Sequence, residues 1–469
     1  MANKKAIVVG SGLAGLSAAS TLLSHHIPVI LLDRAAKPGG NSIKASSGIN
    51  GAPTRFQSGP GDSVDLFAAD TIKSAGSVFA QGGEADRREP LVRKLTSESA
   101  GAIEWLVNGM GVDLSRTAQL WGHSRARTHR GKGKIPPGYA IVSALLKELQ
   151  GTSLFELRGE SEVVKILRDE KGRVNGVRYR RSGVEEESLE GPVIFTAGGF
   201  AGDSAGMLKE YRPDLGNFPS TNDPRPGAHK LLTDVGAKLV DMGFVQIHPT
   251  GFIDPANRSN MNKFLAAEAL RAEGGVLLNR DGKRFVNELA TRLEVTGVIM
   301  SMESKSENPK QWDVQLVLDE GAYQAAQTHV DFYIFKNLMC KVRAAEMDAT
   351  MRAELQAYGD IVSGASADPH GRAAFGHWSS RAPIKDDDFF YVGDVTPVIH
   401  FTMGGAWINT NAEVVKAEGG PIEGLWAAGE ITGGIHGENR LGGSSLLECV
   451  VFGRTAGENV AKYLSKVDL

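Results

Sequence analysis

Cys340 and Cys449 are the only two cysteines in 469 residues. That is too few for a disulfide framework or a structural zinc centre, and it fits a reducing compartment. No apolar run approaches the roughly 18 to 20 residues that a spanning helix requires, and the four residues Ala6–Val9 are too short for the apolar region of a signal peptide. The formal net charge of −3 provides no basic field for nucleic acid or an anionic membrane, so any anionic ligand has to be captured by local cations. No Cys-x-x-Cys-His occurs, no histidine falls between His26 and His123, and neither internal repeats nor low-complexity segments interrupt the chain. With 41% hydrophobic residues the chain can bury a large core, and its length allows about three domains.

The chemistry starts at the first strand. Ala6-Ile-Val-Val-Gly10-Ser-Gly12-Leu-Ala14-Gly15 runs from an apolar strand through three glycines into an Ala-rich helix. Gly10 permits a tight turn, Gly12 lets backbone approach a pyrophosphate, and Gly15 brings helix against strand. Pro28-Val-Ile-Leu-Leu-Asp33 reads as the second strand, with Asp33 where an acid bonds an adenosine ribose and Arg34 beside it. NAD and FAD share this pattern. A second candidate site lies in Phe264–Arg292: Glu268 and Arg271 stand three apart in a helix-favouring stretch and share a face, Gly274-Gly275 ends the helix, Val276–Leu278 reads as a strand, and Asp281-Gly282 turns the chain. Taken alone, such a pair is an ordinary solvated salt bridge.

These motifs together resemble the soluble, flavocytochrome-type fumarate reductases, and among them the haem-free fungal enzymes, over nearly the whole chain. The resemblance implies FAD. Gly39-Gly40-Asn41-Ser42 and Ala45-Ser-Ser47-Gly48-Ile-Asn50 match the segment that wraps the flavin diphosphate and ring, with Ala14 in the first helix. Val164 falls in a strand of the kind that meets adenine, and Ala197-Gly198-Gly199 closes an apolar strand. Gly424–Glu430 repeats that strand-to-glycine pattern, and Gly443, Ser445 and Leu446 open a helix whose N-terminus would face the flavin N1/O2 edge. Membrane-bound relatives attach flavin through a histidine in a region that has none here, so the FAD is expected to be noncovalent. The missing haem motif implies that no haem domain is present.

For the substrate, the resemblance assigns proton donation to Arg292, with Glu268 and Arg271 resupplying the proton. Gln246-Ile-His248-Pro-Thr-Gly, His400-Phe-Thr-Met-Gly-Gly and His436-Gly-Glu-Asn-Arg440-Leu-Gly-Gly443 also match. They assign a substrate carboxylate to His400 and Arg440 and a contribution at the domain junction to His248. Three positions depart from the family pattern. Ala267 replaces a Thr that donates a hydrogen bond to a substrate carboxylate, Ala228 replaces the Asp of a Gly-Asp-Gly turn, and Leu293 replaces the Asp after the proton-donor Arg. The cluster His123, His129 and Arg130 reads as surface or structural.

The expected fold is α/β, a Rossmann-like FAD-binding domain built from both chain ends (1–243 and 400–469) with an inserted α+β capping domain (244–399). Residues 322–358 are expected to form packed helices, and 364–371 and 386–388 to form exposed loops. The expected activity is reduction of fumarate to succinate, with electrons from free reduced flavin or an unidentified donor. Reduction or dehydrogenation of another activated alkene (urocanate, a 3-ketosteroid) and a non-catalytic flavin carrier are the alternatives. No metal, nucleic acid or membrane partner is expected. The chain reads as soluble, cytoplasmic or in an organellar lumen, with no targeting segment of its own; the ending Lys466-Val-Asp-Leu469 only faintly echoes a retention signal.

Overall fold

The computed structural model describes residues 5–59, 61–80, 85–133, 135–181 and 185–466, so most of the faint retention echo lies outside the described residues. Two compact units are formed, one from Met1–Met207, Arg225–Gln246 and Phe401–Leu469, the other from Leu208–Pro224 and Ile247–His400.

In the first unit a six-stranded sheet runs in the order Glu413–Val415, Pro421–Ala427, Val193–Phe195, Ala6–Val9, Val29–Leu32, Phe155–Arg158. Every neighbouring pair is parallel except the first. Ile7, Val8, Leu31, Ile194 and Phe195 are all fully buried, as expected for parallel strands covered on both faces. The helices Leu13–Ser24 and Ser444–Lys466, from opposite ends of the chain, pack closely: a Cβ on Gly453 would stand 2.5 Å from the Ala14 carbonyl oxygen. The two chain ends therefore form one doubly wound layer structure, as the resemblance implies.

The second unit is built on the sheet Phe264–Leu265, Val245–Phe252, Phe389–Thr402, Val314–Asp319, Val276–Leu278, with Cys340–Arg343 also pairing with Phe389–Thr402. It takes in Leu208–Pro224 because Ser220 bridges to both Asn262 and Ile399. Residues 322–358 are not wholly helical. Gln327–Phe335 and Ala349–Val362 are helices, but Cys340–Arg343 between them is a strand, its backbone paired with Phe389–Val392 and the Lys341 ammonium 4.1 Å from the Phe389 ring centre. The available sheet partner outweighs a weak local helix preference there. Asp319 caps the helix Glu320–Ala325, and Thr291 with Glu294 forms a capping box that starts the helix Arg292–Ser301, placing Arg292 at its first position. Among the described residues no helix is long and apolar enough to cross a membrane, and no His/Cys/Asp/Glu cluster could hold a metal.

Candidate active site

The cradle in the first unit fits a dinucleotide. Gly10 has φ +106°, and a Cβ there would stand 2.4 Å from the Thr196 carbonyl oxygen; at Gly15 it would stand 2.0 Å from the Gly10 carbonyl oxygen. Gly12 caps the helix Leu13–Ser24, whose first turn carries no acid, leaving its positive end for an anion. Gly40 lies against Gly12, and Ser42 Oγ accepts from the Leu13 amide at 3.1 Å, with Asn41 just before it. Asp33 accepts from the Ser11 and Ala35 amides at 2.7 and 2.8 Å and from the Ser11 hydroxyl, which fixes the carboxylate at the end of the second strand. Arg34 donates to the Pro226 carbonyl oxygen at 2.8 Å.

Ser47 and Gly48 lead into Ile49–Asn50, and Asn50 Nδ2 donates to the Gly442 carbonyl oxygen at 2.8 Å and to Ser444 Oγ at 3.0 Å. That pins the start of the last helix, where Gly443 packs on Asn50 and where Ser445 and Leu446 sit in a first turn with no acid. Val164 lies in the strand Ser161–Arg168, and Ala197, Gly198 and Gly199 follow Val193–Phe195. Glu430 accepts from the Thr402 amide and hydroxyl at 3.0 and 3.2 Å, and burial pushes its carboxyl up to about 7. All these residues belong to the first unit.

His123 and His129 are buried, and the centre of their cluster is Arg127, which the sequence did not single out. Its guanidinium, fully enclosed, meets Asp62 at 2.8 Å, Asp70 at 2.5 Å and His123 Nδ1 at 3.1 Å. His123 Nε2 in turn lies 2.9 Å from the Gly442 carbonyl oxygen, so this group holds up the same helix start.

The second unit gathers His248, Glu268, Arg271, Arg292 and His400. Arg292 Nη2 is bonded to Glu268, with the two side chains 10% and 3% exposed. Arg271, 1% exposed, donates from Nη1 to the Glu288 carbonyl oxygen at 2.7 Å, while its Nε and Nη2 have no hydrogen-bond partner among the described residues. Burial lowers the Arg271 guanidinium to about 10, against the pull of Glu268. The His248 and His400 rings meet edge to face at 5.7 Å. Burial first, then the Arg292 and Arg271 charges, holds His248 well below 6.5 and therefore neutral. His248 Nδ1 lies 3.0 Å from the Thr250 carbonyl oxygen, and His400 Nδ1 3.2 Å from Thr221 Oγ1.

Arg440 belongs to the first unit and is 3% exposed. Its Nη2 donates to Gln246 Oε1 at 2.9 Å, and its guanidinium carbon lies 4.4 Å from the Phe401 ring centre. Gln246 Nε2 also donates to the Arg440 carbonyl oxygen at 3.0 Å and to Asn439 Oδ1 at 2.9 Å. Gln246 thus grips both ends of Arg440. It stood inside a quoted motif, but only the fold reveals a partner 194 residues away.

At the three departures the structure is specific. The Ala267 amide is committed to Tyr333 Oη at 3.2 Å, which excludes it as a substitute donor in this arrangement. Leu293 is 74% exposed. Ala228 precedes His229, a fully buried imidazole lowered to about 4 by burial, with no hydrogen-bond partner at either ring nitrogen.

Residues 5–446 match the model of the FAD binding domain family. The chain is 46% identical to Fumarate reductase 1 of Saccharomyces cerevisiae over 97% of its length and 98% of that protein's. It is 40% identical to the fumarate reductase of Schizosaccharomyces pombe over 98% and 90%. Among solved structures, the open conformation of a flavocytochrome c3 fumarate reductase superposes with a TM-score of 0.79 at 29% identity, covering 98% of this chain and 78% of that one. The cofactor is FAD, and the chain belongs to the FAD binding domain family and, within it, to the fumarate reductase flavoproteins.

Proposed function

We propose that this chain reduces fumarate to succinate with FAD, Arg292 being the proton donor. The observation that carries the reading is the buried Arg292–Glu268 pair with Arg271 in its field and a neutral His248 beside them. Counting these side chains gives two guanidinium charges against one carboxylate, an excess that suits a dianionic substrate.

When bound, reduced FAD supplies the hydride from its N5. Arg292 supplies the proton to the neighbouring alkene carbon, so that fumarate, one hydride and one proton give succinate. A guanidinium ordinarily holds its proton above pH 12, so this step needs a strongly basic carbanion and prompt resupply. Glu268, bonded to Arg292, hands the proton on, and Arg271, already lowered to about 10, releases one more readily than an ordinary arginine. His248, being neutral, offers a hydrogen bond without adding charge. Arg440 holds a carboxylate, its planar guanidinium fixing the orientation through two parallel N–H bonds, and His400 is a further carboxylate partner. Polarising that carboxylate stabilises the charge that develops on the alkene in the transition state.

Electrons come from free reduced flavin or another donor outside the chain. The FAD is held without a covalent bond, and acid should release it into the supernatant; flavin that stays with the precipitate refutes this. The activity is tested by mixing anaerobically reduced protein with fumarate, urocanate and a 3-ketosteroid in turn and following flavin absorbance. Rapid reoxidation by fumarate is expected. Reoxidation by one of the others alone reassigns the substrate, and inertness to all three leaves a flavin carrier.

A further inference from the structure

A second group of buried titratable side chains lies in the first unit, and the reaction just described does not use it. His436 Nε2 and Glu448 Oε2 are 2.6 Å apart, with side chains 4% and 3% exposed. The other atom of each, His436 Nδ1 and Glu448 Oε1, has no hydrogen-bond partner among the described residues. Glu430 stands in the field of Glu448, and its surroundings are close-packed: a Cβ on Gly199 would lie 2.3 Å from Glu430 Oε1, and one on Gly429 3.2 Å from Cys449 Sγ. The His436 ring meets Phe401 at 6.0 Å, and Arg440 lies over the same Phe401. The charged and titratable groups facing one another here are Glu430 at the end of Pro421–Ala427, His436 and Arg440 on the connecting loop, and Glu448 and Cys449 on the last helix.

Glu448 and His436 each keep one buried polar atom without a hydrogen-bond partner among the described residues, and Glu430 lies in the field of Glu448, at the glycine-marked strand ends and the helix start that fit the flavin. Two-electron reduction of FAD adds one proton at N5 and leaves a negative charge at the N1/O2 edge. An added negative charge raises the affinity of nearby acids for protons. We propose that Glu430, Glu448 and His436 form a proton reserve that takes up a compensating proton when the bound FAD is reduced and releases it on reoxidation. In the balanced step, oxidised FAD, two electrons from the external donor and two protons give anionic reduced FAD, protonated at N5, and one extra proton on the trio. Glu430 has a carboxyl already near 7, so the exchange falls in the neutral range.

The inference rests on the FAD cofactor but not on fumarate being the substrate, so its test uses no substrate. Spectroelectrochemical titration of the holoprotein across neutral pH reads protons taken up per two electrons from the slope of midpoint potential against pH. The absorption spectrum of the reduced flavin shows at each pH whether N1 itself is protonated. The parent is expected to take up more than one proton per two electrons while its reduced flavin stays anionic. Glu448→Gln and, separately, His436→Phe should reduce the uptake to one, and Glu448→Asp should restore the excess. The proposal is overturned if the parent takes up one proton only, if the excess follows protonation of N1, or if it survives in Glu448→Gln. Should Glu448→Gln fail to fold, Glu430→Gln read by the same slope decides, retention of the parental excess refuting the reserve.

Discussion

Arg284 and Arg372 are enclosed by Glu288 and Asp368, two positive groups against two negative, at 2.8, 2.5 and 3.0 Å with side chains no more than 2% exposed. Arg271 and Arg292, on the same stretch of chain and almost as deeply buried, are grouped with one carboxylate, Glu268, and two imidazoles. Both clusters bear the desolvation cost of buried charge; the first offsets it charge for charge, the second only in part, through the Arg292–Glu268 pair. Burial alone would raise the Glu288 carboxyl, yet the bonds from Arg284 and the charge of Arg372 hold it below its ordinary 4.5. In the second cluster the same burial lowers Arg271 to about 10 and leaves two of its nitrogens unsatisfied. The first cluster is matched charge for charge, whereas the second carries one guanidinium in excess, as the proposed anionic substrate and proton donor require. They are also joined, since Arg271 donates to the Glu288 carbonyl oxygen and Arg372 to the Arg271 carbonyl oxygen. The first therefore holds the second in place.

The largest effect is expected from the unbalanced side. Arg292→Ala should abolish fumarate reduction, a loss beyond the ~10² to 10⁴-fold typical of general acids, while FAD content and succinate binding persist. Anaerobic reoxidation of the reduced variant by fumarate is the measurement, and a parental rate would move the proton donor elsewhere. Glu268→Gln should lose less, because Arg292 still arrives protonated and water can resupply it slowly.

The balanced side should fail in stability. Glu288→Gln removes the carboxylate shared by two buried guanidiniums and should cost about 3 to 5 kcal/mol in urea unfolding, with Arg271 disturbed as a consequence. If stability is unchanged, the charges are not compensated in the way described. The same cluster predicts a sign for acid. Glu288 and Asp368 have folded pKa values below their ordinary ones, so their stabilisation is complete above the ordinary carboxylate range and is lost as pH falls through the lower folded values. Unfolding midpoints of parent and Glu288→Gln should therefore converge on acidification below pH ~4.5.

Arg440→Lys keeps the charge and loses the planar two-point hold. About 1.5 to 3 kcal/mol is at stake, one to two decades in kcat/KM. The smallest effect should come from Gln246→Leu, which leaves Arg440 charged but loosens its grip at side chain and carbonyl. A rise in KM worth about 0.5 to 1.5 kcal/mol, with kcat less affected, would mark positioning; a collapse of kcat with KM unchanged would mark a chemical role instead.

The features legible in the sequence were those made by neighbours in the chain. Gly10, Gly12 and Gly15 announce the cradle because turn, close approach and helix contact are local demands on backbone. Glu268 and Arg271 share a face because three residues separate them on one helical turn. The helix that starts at Arg292 was not read from the sequence, although its Thr291–Glu294 capping box is also a local signal. Even the family membership was legible through such short motifs. What the sequence could not express was pairing across distance. Arg372 reaches Glu288 over 84 residues and Gln246 reaches Arg440 over 194, and nothing in either segment alone names its partner. Asp368 was part of a stretch read as an exposed loop, yet its carboxylate is buried against Arg284. Whether a buried charge is balanced or left in excess is a sum over side chains that only the folded chain brings together. Tertiary structure alone therefore distinguished the compensated cluster from the uncompensated one; of their charged residues, local sequence had pointed only to Glu268, Arg271 and Arg292 of the second.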